Sequence, residues 1–285
     1  MYRFGAEITP YHDYSLEEAL RSLADMGFRD VNLWSSAAPL AHHVNPGDDT
    51  AAIKSLLAKY SIRPTALTMY GKSRQEMLDR IRFAADLDID MVVFDCEANY
   101  VDFVGESLPA LLPTCERYGV RIAVENHITV PFTADMEEGG HEGERWQEGV
   151  DTLAQIKRLL EDLDTPYVGV CVAPAHLWVT NETISEAIAY LAERKKLFHY
   201  YVWDISRSYR RGVDGLMFGP GEEQLPRPDG TLDHRVLLRT LAAVGYEGVA
   251  ALKCHGTLGW SLDYLNETFG SAASYVRSML PEGVE

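Results

Sequence analysis

Amphipathic stretches and short apolar runs alternate along the whole chain, separated by a glycine or a brief turn. From Ser15 to Met26 the apolar residues Leu16, Ala19, Leu20 and Leu23 recur at helical spacing. Ser15, with Glu18 three residues on, has the form of a capping box. Gly27 ends that helix and Phe28–Leu33 follows as a strand. Helices over residues 49–60, Arg74–Leu87, Leu108–Tyr118, Val150–Leu163, Ile184–Arg194 and Asp233–Val244 lead in turn into strands. These are Ile62–Met69, Met91–Cys96, Val120–Val124, Tyr167–Val172, Leu197–Trp203 and Val249–Leu252. Phe4–Ile8 supplies the opening strand and Leu262–Leu280 the closing helix. Near-continuous apolar strands in strict alternation with helices indicate parallel strands covered on one side by helices. Eight such units in 285 residues predict an α/β fold, a single (β/α)8 TIM barrel spanning residues 1–285.

Two connections are too long to be turns. Residues 126–149 carry Asp135, Glu137, Glu138, Glu142, Glu144 and Glu148, and residues 204–231 carry Arg207, Arg210 and Arg211. Both follow strands, so both lie on the face where barrel active sites form. They read as lids or partner contacts.

Composition narrows the chemistry. The 26 Lys and Arg against 43 Asp and Glu give a net charge of −17, a field that repels phosphate backbones and anionic lipid. Nucleic acid and membrane are therefore not expected partners. No apolar run approaches a membrane span, and the opening residues run straight into a strand, so no signal peptide is expected. Cys96, Cys115, Cys171 and Cys254 are widely spaced without a CxxC pair, which points to neither a zinc site nor a disulfide framework. A cytoplasmic protein is expected, acting on a small molecule, with homo-oligomerisation left open.

Polar residues at strand ends are the informative positions in such a barrel. They are Glu7, Asn32, Tyr70, Asp95 with Glu97, Glu125 with Asn126 and His127, His176, Tyr201 with Asp204, and Lys253 with His255. A carboxylate closing the apolar run Ile122–Val124 is costly to bury unless it is paired or functional, which singles out Glu125. His199 reads as a core histidine, and His42-His43 as a loop without ligand spacing.

Arg121-Ile122-Ala123-Val124-Glu125-Asn126-His127 resembles the fifth strand of the xylose isomerase-like sugar isomerase and epimerase family. Val168 to His176 resembles its sixth strand and Phe198 to Asp204 its seventh. Gly219-Pro220-Gly221-Glu222 and Gly245-Tyr246-Glu247-Gly248 resemble the family's loop and its lead into strand eight. The resemblance implies a divalent metal, usually held by Glu, Asp, His and Glu from strands five to eight. Those positions here are Glu125, Ala173, Tyr201 and Lys253. One anion and one cation sum to zero before any ion arrives. At about 4 Å and a dielectric near 20, each unit-charge pair is worth on the order of 4 kcal/mol. A dication would feel roughly twice that repulsion from Lys253. The family's Mn²⁺ or Mg²⁺ site is therefore expected to be lost, and no cofactor is expected.

The resemblance places His176 and Arg207 at substrate-contacting positions. Glu7, Glu97, His127, Trp203 and Asp204 join them as substrate-binding candidates, with Glu125, Lys253 and Tyr201 as the catalytic set. The expected function is a sugar isomerase or epimerase acting on a sugar, cyclitol or related polyhydroxy or oxo compound. Glu125 would be the base, and Lys253 or Tyr201 the electrophile or acid. A lyase or dehydratase, a structural Lys–Glu pair in a non-catalytic barrel, and a ligand-binding or partner subunit are the alternatives.

Overall fold

A computed structural model describes every residue except 37–41, 71–72, 95–99, 128–148, 209–218 and 285. The strands are β1 (Arg3–Glu7), β2 (Asp30–Ser36), β3 (Arg63–Tyr70), β4 (Met91–Phe94), β5 (Arg121–Glu125), β6 (Val168–Val172), β7 (Leu197–Val202) and β8 (Val249–Leu252). They close in sequence order into one barrel, β8 pairing back onto β1. Every neighbouring pair is parallel.

The local chemistry explains where elements start. Helix Leu16–Asp25 begins on the Ser15–Glu18 capping box, and the helices Arg74–Asp86 and Leu153–Asp162 begin on Ser73–Glu76 and Thr152–Gln155 boxes. Each box satisfies backbone N–H groups that a helix start leaves unpaired. Gly119 ends helix Leu108–Tyr118 at φ 68°, a left-handed value that glycine adopts without strain.

Strand β2 runs Asp30–Ser36 rather than Phe28–Leu33. The Phe28 amide caps the preceding helix by donating to the Leu23 carbonyl, and the Phe28 ring packs on Phe4 and Phe269. Periodicity also missed the helix Pro174–Val179 behind β6. It starts on a proline, whose missing N–H costs nothing at the first helical turn.

The core has two shells. Leu, Ile, Val and Phe side chains fill the space between sheet and helices, while Ala66, Val93, Ala123, Cys171, Tyr201, Trp203, Val249 and Ala251 cluster inside the barrel. Cys171 and Cys254, like Cys115, are buried thiols packed as small hydrophobes. Side chains two residues apart along a strand face the same way. The inward residues Ala66, Ala123 and Ala251 are thus followed, two residues on, by Thr68, Glu125 and Lys253. Small residues in one layer make room for long polar ones in the next.

Closure depends on Gly5. A Cβ built there would lie 2.6 Å from the Asp30 carbonyl oxygen and 2.7 Å from Val249 Cγ1, so β1 fits between β2 and β8 only without a side chain. Nearby, half-exposed Arg3 and Arg63 both pair with the Asp30 carboxylate, at 3.1 and 2.7 Å. No helix among the described residues is long and apolar enough to cross a membrane.

Substituting Gly5→Ala is expected to cost about 2 kcal/mol, the usual scale of overpacking in a rigid core. Urea unfolding of the variant beside the parent checks it; an unchanged midpoint would refute the close-packed account of closure.

Candidate active site

Lys253 follows β8 and continues its pairing, its backbone amide donating to the Val202 carbonyl. The side chain enters the barrel mouth, where nothing of it reaches solvent. Its Nζ lies 3.3 Å from Glu125 Oε1 and 3.8 Å from Glu7 Oε2, and both carboxylates are equally buried. The ammonium also sits 3.9 Å from the centre of the Tyr201 ring and 4.9 Å from that of Trp203, distances at which aromatic faces attract cations. Strands β1, β5, β7 and β8 thus converge on one positive charge.

The electrostatics follow from that arrangement. Burial works to raise the Glu125 pKa, but the Lys253 ammonium, with help from His176 and His127, holds it well below the ordinary carboxylate range. Glu7 goes the other way: burial and the Glu125 charge outweigh the more distant ammonium and raise its pKa. Burial would strip the proton from Lys253, yet Glu125 and then Glu7 keep it bound, and its pKa is raised. The site holds an ionised glutamate, a protonated lysine, and a second glutamate biased towards its acid form.

A hydrogen-bond network links Glu7 to Tyr201. Thr68 Oγ1 donates to Glu7 Oε1 at 3.2 Å and lies 3.0 Å from the Tyr201 hydroxyl. The Asn32 amide donates to Thr68 Oγ1 at 2.8 Å and lies 3.5 Å from the same hydroxyl. All four groups are buried.

On the other side, His176 Nε2 is 3.6 Å from Glu125 Oε1. Burial, reinforced by the adjacent His127, lowers the His176 pKa to about 3, so the imidazole is neutral. From there aromatic rings follow one another around the mouth. Centroid separations are 4.2 Å for His127–His176, 5.2 Å for His176–Trp203, 5.2 Å for Trp203–His255 and 5.8 Å for His255–Trp34. Beyond Trp34 come His43 at 5.5 Å, then His42 at 4.5 Å and His12 at 5.6 Å from His42.

Six of the ten residues singled out from the sequence are therefore brought together: Glu125, Lys253, Tyr201, Glu7, His176 and Trp203. His127 stands beside them against His176. Asp204 is not among them. Its Oδ1 accepts from the backbone amides of Ile205, Thr231 and Leu232, and its Oδ2 faces His234 at 3.5 Å. That carboxylate ties the two ends of the 204–231 connection together. Arg207 is exposed and donates to the Gly230 carbonyl at 2.7 Å. Glu97 and Asp95 lie outside the described residues, as do Arg210, Arg211 and the acidic stretch of the 126–149 connection. The Tyr70 side chain is likewise outside the description.

Sequence reading missed Thr68, which only the inward parity of Ala66 and Thr68 on β3 could have flagged. His12 was missed too. The His42-His43 pair, read as a plain loop, is a buried pair of rings that meet edge to face.

The chain belongs to the xylose isomerase-like TIM barrel family, which it matches over residues 20–268. No curated protein matches its sequence. Among solved structures, D-psicose 3-epimerase crystallised in the presence of D-fructose superposes with a TM-score of 0.71 at 13% identity, covering 98% of this chain and 99% of that one. The probable 3-DHS dehydratase AsbF from Bacillus anthracis gives 0.69 at 12% identity over 95% and 98%. The 3-keto-D-glucoside 4-epimerase YcjR from E. coli gives 0.68 at 13% identity over 98% and 100%. At such identities the likeness speaks for the fold.

The family's divalent metal does not fit the residues found at its place. Glu125 brings a carboxylate, Ala173 a methyl group, Tyr201 a phenol and Lys253 an ammonium that already lies against Glu125. Among the described residues no group of three or more His, Cys, Asp or Glu is arranged to hold a metal ion.

The two glutamates are expected to give opposite pH signatures. Glu125, lowered on folding, stabilises the fold above the ordinary carboxylate range, and that contribution is lost as pH falls towards its folded value. Glu7, raised on folding, makes stability fall as pH climbs from the ordinary carboxylate value to its own. Glu125→Gln should cost about 3–5 kcal/mol at pH 7, as breaking a buried pair does, with the gap to the parent narrowing on acidification. Glu7→Gln should fare better against the parent as pH rises through that window. Urea unfolding from about pH 2 to 8 measures both; two variants with parallel pH curves would contradict the assignment.

Proposed function

We propose that the protein is a sugar isomerase or epimerase working on a keto- or aldo-polyol without a divalent metal. Glu125 is the general base and the Lys253 ammonium the electrophile. The observation that carries this reading is the buried Lys253–Glu125 contact at the barrel mouth, an ammonium standing where the family gathers ligands for a cation. D-Psicose 3-epimerase and the 3-keto-D-glucoside 4-epimerase, both of the same fold, give it context.

Proton removal next to a carbonyl needs a carboxylate that is ionised at working pH and a positive group aimed at the oxygen where charge develops. Glu125, held in its charged form, supplies the first. Lys253 supplies the second, since its flanking carboxylates keep it protonated. The same protonation argues against a Schiff base, which needs a neutral amine. The proton on the substrate carbon passes to Glu125, and the carbonyl oxygen becomes an enolate oxygen held by Lys253. Tyr201 donates its phenolic proton to that oxygen. Glu125 then gives the proton to the former carbonyl carbon while the neighbouring hydroxyl of the enediol gives its proton back through Tyr201, which forms the isomer and restores the phenol. The rings from His127 to Trp34 offer aromatic faces and polar edges suited to a polyhydroxy compound.

Elimination is the second reading, favoured by the dehydratase among the structures of the same fold. It shares the first proton transfer and differs in expelling a hydroxyl from the neighbouring carbon.

Chelator-treated protein incubated in D₂O with ketohexoses and 3-keto-glycosides tests both by NMR. Deuterium at the carbon next to the carbonyl, with isomer formed, is the expected result, and an unsaturated product instead would mark elimination. Glu125→Gln and Lys253→Met should each slow exchange by at least about a hundredfold, the scale of a positioned acid–base or oxyanion group. Exchange that appears only on adding Mn²⁺ would overturn the metal-free mechanism.

A further inference from the structure

Resting on that reading, the geometry points to Glu7 as the proton store of the site and Thr68 as the relay through which Glu7 recharges Tyr201. The argument is one of donor and acceptor bookkeeping. A threonine hydroxyl has one proton to give and two lone pairs. Asn32 Nδ2 fills one lone pair of Thr68 Oγ1 at 2.8 Å. The remaining lone pair and the single proton are divided between Glu7 Oε1 at 3.2 Å and the Tyr201 hydroxyl at 3.0 Å.

Two polarities fill the donor and both acceptors of the Thr68 hydroxyl. With Glu7 ionised, Thr68 donates to Glu7 and Tyr201 donates to Thr68, so the phenolic proton points away from any substrate. With Glu7 protonated, its acid proton goes to Thr68 and that of Thr68 to the Tyr201 oxygen, which frees the phenolic proton for another acceptor. One protonation event at Glu7 therefore turns the whole chain and arms Tyr201.

The transfers balance. The substrate carbon loses a proton to Glu125, and Tyr201 gives one to the enolate oxygen. The resulting phenolate takes the proton of Thr68, which takes that of Glu7, leaving Glu7 ionised. When the enediol gives up an oxygen-bound proton, the same route runs backwards. Glu7 begins and ends each cycle protonated, with no water required in a site where all these groups are buried.

This arrangement also accounts for why a second carboxylate lies near Lys253 at 3.8 Å instead of pairing closely with it. A tight ion pair would hold Glu7 ionised and lock the chain in its unarmed polarity. Glu7 acts through Tyr201 and Thr68, so its role is to position and store the proton.

Two spectroscopic readouts test the relay without a substrate. Infrared difference spectra between the parent and Glu7→Gln at pH 6 should show a buried carboxylic acid C=O band, shifted in Thr68→Val where its hydrogen-bond partner is gone. In protein carrying ¹³Cζ-tyrosine, hydrogen exchange of the Tyr201 hydroxyl should slow on the order of a hundredfold in Thr68→Val, while Thr68→Ser, which keeps the hydroxyl, stays near the parent rate. A missing acid band, or a Tyr201 exchange rate indifferent to Thr68→Val, overturns the relay. Neither measurement needs turnover, so a failed search for sugar substrates would sink the isomerase reading and leave this result standing on its own.

Discussion

An ammonium group cut off from water must be neutralised by its neighbours, and around Lys253 that requirement organises the top of the barrel. The cost of desolvating one such ion is several kcal/mol even after relaxation. Glu125 at 3.3 Å, Glu7 at 3.8 Å and the faces of Tyr201 and Trp203 together offset it. These groups come from four different strands, so the charge cluster exists only once β1, β5, β7 and β8 are in register. Closure in turn depends on Gly5, where β1 passes too close to β2 and β8 for any side chain. The fold and the site are therefore coupled through the same few inward positions.

Stability alone does not explain the cluster. Well-packed apolar residues of similar volume often match or exceed a buried ion pair in stability, and the barrel interior below already uses alanine, valine and cysteine. Keeping two carboxylates and an ammonium there is reasonable where the charges do chemistry. The contrast with Asp204 is instructive. It too is fully buried, yet its carboxylate is consumed by three backbone amides and faces His234. One buried acid anchors a loop; the others face each other across the mouth with lysine between them.

Much of this was legible in the sequence, because barrels write their interiors in a two-residue period. The apolar run ending at Glu125 and the run Val249–Leu252 ending at Lys253 point both side chains inward once eight parallel strands are inferred. The pairing of Lys253 with Glu125 followed from motif order. Asp204 marks the limit of that reading. A carboxylate at the end of β7 has the same sequence signature whether it meets a ligand or the backbone amides of Ile205, Thr231 and Leu232, and only the path of the connection decides. Thr68 was invisible because a threonine within a strand carries no signal of its own. Its importance comes from Asn32, Glu7 and Tyr201, which lie on β2, β1 and β7 and meet only in the closed barrel. The edge-to-face cluster of His12, His42 and His43 escaped for the same reason.

Charge counting connects this site to the rest of its family. A dication held by three carboxylates sums to −1. Lys253 with two ionised glutamates also sums to −1, and in the proposed reading this ammonium takes the metal's place. The replacement differs in what it can exchange. A metal ion polarises an oxygen but has no proton to lend, whereas here a carboxyl group of raised pKa is linked through Thr68 to a phenol. Protonating Glu7 takes the sum to zero, and in the proposed cycle it stays there, because Glu125 gains the proton of the substrate carbon as Glu7 gives one towards the substrate oxygen. The negative charge thus passes between the two carboxylates that flank Lys253. That coupling ties the position of Glu7, slightly farther from the ammonium than Glu125, to its capacity for giving up and regaining a proton.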